Sequence, residues 1–101
     1  MILEVAILHI KPELSHEFEP SFAKASVFIA SIKGYIRHTL QRCLEEEQKY
    51  ILLVQWEDLE SHTVNFRASA QYLEWKQILH PFYDPFPIVE HYEKVHPIPN
   101  D

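Results

Sequence analysis

The chain has 101 residues, which fits a single domain. Its 47% hydrophobic and 24% charged composition is that of a globular protein and argues against disorder. The net charge of −6, with Lys and Arg scattered rather than clustered, argues against nucleic acid and against an acidic membrane as partners.

Ile2 to Ile10 (ILEVAILHI) is short, rich in branched apolar residues and followed by Lys11-Pro12. It reads as a strand apolar on both faces, with Glu4 and His9 as exceptions. Pro12 suits the start of a helix. From Leu14 to Ile32 the apolar residues fall at Leu14, Phe18, Phe22, Ala25, Ile29 and Ile32, in steps of three and four that make one helical stripe. Pro20 inside this stretch either kinks the helix or marks its first turn. Lys33 and Gly34, the only glycine, close it.

Tyr35 to Leu44 alternates and reads as a strand. Ile36, His38, Leu40 and Arg42 are expected on one face and Tyr35, Arg37, Thr39, Gln41 and Cys43 on the other. A polar turn, Glu45 to Gln48, leads to the clearest strand, Tyr50 to Trp56, read as buried on both faces. Asp58 is a good N-cap for a short helix from Leu59 to about Phe66, and Ser69 for a second carrying Tyr72, Trp75 and Leu79 on one stripe. Pro81, Pro85 and Pro87 make His80 to Pro87 a turn or loop. Ile88 to Val95 alternates as the last strand, and Pro97 and Pro99 end the structure.

The order is β-α-β-β-α-β. Its two βαβ halves make a four-stranded antiparallel sheet with helices on one face, the ferredoxin-like α+β arrangement, over residues 1–97 with a tail at 98–101. Two strands apolar on both faces need a second cover, and the sheet of another copy supplies it, so a homodimer is expected. No stretch approaches the roughly 18 apolar residues of a membrane helix. The N-terminus lacks a basic region and cleavage site. The single Cys43 fits a reducing compartment. A cytoplasmic protein is expected.

The chain resembles the antibiotic biosynthesis monooxygenase family of dimeric α/β barrels. The resemblance lies in the first strand with Lys11-Pro12, in Gly34 to Cys43, in Tyr50 to Arg67 (YILLVQWEDLESHTVNFR), in Ser69 to Trp75 and in Leu79 to Tyr92. It implies a pocket between the helices and sheet of each subunit that binds a planar aromatic compound. Some relatives oxidise that compound with molecular oxygen and no metal or flavin; others degrade haem. The haem-degrading triad is missing: the first strand has no Asn, the Trp position falls near Asn65 or Phe66, and the His position near Lys76. No cofactor is therefore expected, and the function implied is a cofactor-independent monooxygenase or related oxidoreductase on a small aromatic or quinone-like compound. The alternative is a non-catalytic, dimeric small-ligand-binding protein.

A cofactor-free oxygenase must hold an electron-rich phenol or enol in an apolar pocket and take a proton from it. Histidine suits the proton transfer and aromatic walls suit the substrate. His38, between Ile36 and Leu40, is either a core or interface histidine or the proton acceptor. His62, one turn before Phe66, shares a side with it at i,i+4 and is the second catalytic candidate, against a capping or surface role. Trp56 and Trp75 are large aromatics that either build the core or contact substrate. Arg67 could pair a substrate anion, although a salt bridge to one of the fifteen acidic residues is the plainer expectation. Tyr83 lies in the proline-bounded loop, with His80 and Asp84. His91 could face the pocket or the dimer seam, since alternation cannot choose when both faces are covered. His9, His16 and His96 read as structural or exposed. No metal is expected, because there is no H-E-x-x-H and no paired-cysteine signature, and a lone glycine cannot build a phosphate loop.

Overall fold

The computed structural model describes residues 1–96; the tail expected at 98–101 lies outside the described residues. Strand β1 is Ile2–His9, and a tight turn at Pro12–Leu14 leads into helix α1, Ser15–Ala30. Strands β2 (Tyr35–Arg42) and β3 (Lys49–Trp56) follow. A wide helical turn spans Ser61–Phe66, and helix α2 is Ala70–Leu79. Strand β4 is Val89–Tyr92. The sheet order is β2-β3-β1-β4, with every neighbouring pair antiparallel. This is the ferredoxin-like α+β fold.

The α1 stripe packs as its spacing requires: Phe18, Phe22, Ala25 and Ile29 are all buried. The helix begins at Ser15, so Pro20 falls inside it rather than in its first turn. Gly34 takes φ +96°, and a Cβ there would run into the Ser61 hydroxyl, so the position requires glycine twice over. Ser69 caps α2 by accepting from the Tyr72 N–H at 3.1 Å. Asp58 accepts from the Ser61 N–H at 2.8 Å and from its hydroxyl at 2.6 Å.

One sheet face carries Glu4, Ala6 and Leu8 of β1 and Tyr50, Leu52, Val54 and Trp56 of β3, all buried beneath the helices, with Ile10 just past the end of β1 buried as well. The other face is only half-buried in the single chain, at Leu3, Val5, Ile7, Ile51 and Leu53, so the two strands are not enclosed on both sides within one copy. Three further expectations need correction. A bulge between Tyr35 and Arg37 shifts the register of β2, so Tyr35 reaches the helix side together with His38 instead of opposing it. Strand β2 ends at Arg42. Strand β4 ends at Tyr92, short of Val95, pairing with β1 only from Val89 to Tyr92.

Candidate functional site

The strand register sets the floor of the site. His38, Val54, Glu4 and His91 lie opposite one another across β2, β3, β1 and β4, on the helix-covered face. That settles His91, which faces inward. Glu4 is 5% exposed, and its neighbours on the buried side of β1, Ala6 and Leu8, are apolar. A buried carboxyl needs partners. The Trp56 indole N–H donates to Glu4 Oε1 at 2.9 Å, and His62 Nε2 lies 3.4 Å from the same oxygen. His62, 3% exposed, shares a 2.7 Å hydrogen bond between its Nδ1 and Nε2 of His91, and its ring stacks on Trp56 at 5.4 Å between centroids. Glu4, His62 and His91 thus run in a line from the buried floor towards half-exposed β4.

Burial works against charge along this line. Burial pushes the Glu4 carboxyl above its ordinary value, against the pull of the Trp56 hydrogen bond and the Arg67 charge. Burial, with Arg67 and His91 nearby, pushes His62 down to about 3. His91 is also lowered, by burial and then by Arg67. His62 is therefore uncharged, so its 3.4 Å contact with Glu4 is not an ion pair.

A cavity of about 370 Å³ opens beside them. Its floor is Glu4, Ala6, Leu8, Leu52 and Val89 of the sheet. One wall is His62, Phe66 and Arg67 of the wide turn; Tyr72 and Trp75 of α2 form the next. The proline-bounded loop closes it with His80, Tyr83, Phe86 and Pro87. That loop is tied to the end of β1 by the Lys11 N–H to the Phe82 carbonyl and the Asp84 N–H to the His9 carbonyl, both 2.9 Å. Phe66 packs edge-on against both Trp75 and Tyr72, at 5.6 and 5.1 Å, so the aromatic walls brace one another.

The helix expected over Leu59 to Phe66 is wound wider than an α-helix from Ser61 on, with the Arg67 N–H reaching the His62 carbonyl at 3.2 Å. The consequence is positional. In an α-helix of 3.6 residues per turn, residue i+5 points about 140° away from residue i. In an i→i+5 turn it comes back over residue i. His62, Phe66 and Arg67 therefore all border one cavity. The Arg67 guanidinium makes no ion pair among the described residues, against the expectation of a salt bridge to one of the acidic residues; the Arg–carboxylate pair there is Arg42–Glu19.

Of the residues singled out in the sequence, His62, Phe66, Arg67, Trp75 and Tyr83 line the cavity, while Trp56 and His91 hold its floor from behind through Glu4 and His62. His38 does not line it. Its Nδ1 is bonded to the Tyr35 hydroxyl at 2.5 Å, its ring lies 5.9 Å from Phe22, and two strand spacings, about 10 Å, separate it from Glu4. Sequence reasoning missed Glu4, Tyr72 and Phe86, and had noted His80 only as a residue of the loop. Glu4 was visible as the one carboxylate in an apolar strand, the signal that finds such a group. Among the described residues no group of three or more His, Cys, Asp or Glu could hold a metal ion, and no helix is long and apolar enough to cross a membrane.

A family model described as antibiotic biosynthesis monooxygenase matches residues 1–78. The chain is 55% identical over 95 residues to the uncharacterised protein YczJ of Bacillus subtilis, covering 94% of this chain and 100% of that one. It is 38% identical over 55 residues to deoxynogalonate monooxygenase of Streptomyces nogalater, covering 54% of this chain and 44% of that protein. A Bordetella bronchiseptica structure assigned to the same monooxygenase family superposes with a TM-score of 0.88 at 33% identity, over 94% of this chain and 97% of that one. SnoaB, a cofactor-independent oxygenase of Streptomyces nogalater, shares the fold at a TM-score of 0.84 and 21% identity, over 97% and 96% of the two chains.

Proposed function

The chain belongs to the antibiotic biosynthesis monooxygenase family, and from that premise we propose that it is a cofactor-independent monooxygenase acting on a small aromatic or quinone-like compound. The observation that carries the reading is the buried Glu4–His62 pair at the wall of an aromatic cavity. Trp75, Phe66 and Tyr83 offer flat apolar surface to a ring system. Oxygen reacts readily with the anion of a phenol or enol, so the protein's task is to take a proton from the bound compound. Glu4 is the stronger acceptor of the pair, since burial raises its pKa while that of His62 drops to about 3. Trp56 and His62 hold its Oε1, and the other oxygen carries no side-chain hydrogen bond among the described residues. The anion then gives its electrons to oxygen: an activated CH₂ and O₂ become a carbonyl and water, and the borrowed proton returns to the leaving oxygen. His38, outside the cavity lining, has no part in this chemistry.

The low basicity of His62 also supports a second reading, a non-catalytic protein that carries or senses a small apolar ligand. In both, two copies pair through the half-buried sheet face, and the single thiol, Cys43, supports a cytoplasmic location. Oxygen uptake across a panel of hydroquinones and anthrone-type phenols separates the two readings. The enzyme consumes oxygen with at least one of them, and Glu4→Gln lowers the rate at least about a hundredfold, as loss of a proton acceptor does. Ligand-induced thermal stabilisation without oxygen uptake would favour the carrier.

A further inference from the structure

We propose that the compound held in the cavity is an aromatic acid, seated with its carboxylate on Arg67 and its far ring towards Glu4 and His62. The proposal rests on the cavity being a ligand site, as above, but on no reaction taking place there. Arg67 is brought to the cavity by the i→i+5 winding of the turn, which sets it beside His62 and Phe66. It is the one lysine or arginine among the lining residues. The chain carries fifteen acidic residues, yet among the described residues none pairs with this guanidinium. The lone carboxyl of the lining is Glu4, whose Oε1 is occupied by Trp56 and which forms no ion pair with Arg67 among the described residues. The guanidinium thus has no direct carboxylate partner among the described residues.

A neutral ligand filling this space would strip water from the guanidinium and return nothing. A carboxylate would replace that water with a fork of two charge-assisted hydrogen bonds. Because Arg67 is itself exposed, the carboxylate end is placed at the mouth and the ring end against the buried floor. A volume of about 370 Å³ lies at the small end of ligand pockets, which sets the size at one or two rings.

The test is calorimetric binding of two probes, 6-hydroxy-2-naphthoate and its methyl ester, to the full chain and to Arg67→Gln and Arg67→Lys. The side chain is exposed, and circular dichroism checks that both variants stay folded. The acid is expected to bind about tenfold more tightly than the ester, the scale of one charge-assisted pair. Added salt should erode that preference. Arg67→Gln should bring the two probes to within about twofold, with Arg67→Lys between, since a lysine keeps the charge but not the fork. Equal affinities in the wild type, tighter binding of the ester, a preference that survives Arg67→Gln, or no binding of the acid would each overturn the proposal. Oxygen is not consumed in this measurement, so a failed oxygenase reading and a failed acid reading are told apart.

Discussion

At Glu4 and His62 two titratable groups are buried side by side with shifts of opposite sign, and stability must carry both. His62 has an ordinary pKa of 6.5 that folding lowers to about 3. The unfolded chain therefore binds a proton that the folded chain refuses as pH falls below 6.5, and stability is lost from there towards 3. Glu4 works the other way. Its folded pKa lies above the ordinary 4.5, so its contribution is complete below 4.5 and is lost as pH rises through the folded value. Between about 4.5 and 6.5 the two slopes oppose each other. Each variant should therefore unmask its partner. In denaturant titrations, Glu4→Gln should steepen the loss of stability on acidification, by up to about 1.4 kcal/mol per pH unit for one proton. His62→Gln should flatten or reverse that loss. Slopes that move in the same direction in both variants would show that the pair is not buried as described.

At the scale of elements, what could be read from the sequence was whatever depends on spacing along the chain. The stripe from Phe18 to Ile29 fixed α1 and its buried face. Ser69 and Asp58 marked where helical turns begin, because capping is a local hydrogen bond. Three features were hidden, each for a reason of its own. Alternation continues unchanged through a bulge on paper, whereas the extra residue near Ile36 turns Tyr35 inward beside His38. The wide winding of Ser61–Phe66 leaves no mark in apolar spacing, yet it decides that Arg67 borders the cavity. The face taken by His91 depends on which residue of β1 it opposes, and pairing with Glu4 across more than eighty positions of sequence is a tertiary fact. Half of the candidate site was thus legible as residue types, and its assembly was not.

At the scale of the whole molecule the single chain leaves the outer sheet face unfinished. Leu3, Val5, Ile7, Ile51 and Leu53 are half-buried there, and Gln55 Oε1 on the same face is buried without a hydrogen-bond partner among the described residues. An apolar face of this kind favours association with a second copy, which would also offer Gln55 a partner. Light scattering should give twice the 12.0 kDa chain mass at micromolar concentration, and Leu53→Lys should give a folded monomer. A wild-type monomer would remove the dimer from the account while leaving the cavity, which lies on the opposite side of the sheet and within one chain.

The central claim is that the cavity seats an aromatic hydroxyl against the Glu4–His62 pair. A crystal structure of the protein soaked with 6-hydroxy-2-naphthoate tests it most directly. The expected result is a ring system among Phe66, Trp75 and Tyr83 with its hydroxyl oxygen about 2.6–3.0 Å from a Glu4 carboxyl oxygen, the range of an O–H···O hydrogen bond. A probe lodged instead in the edge groove beside Met1, Leu3 and Tyr92, or a cavity that stays closed to it, would contradict the claim.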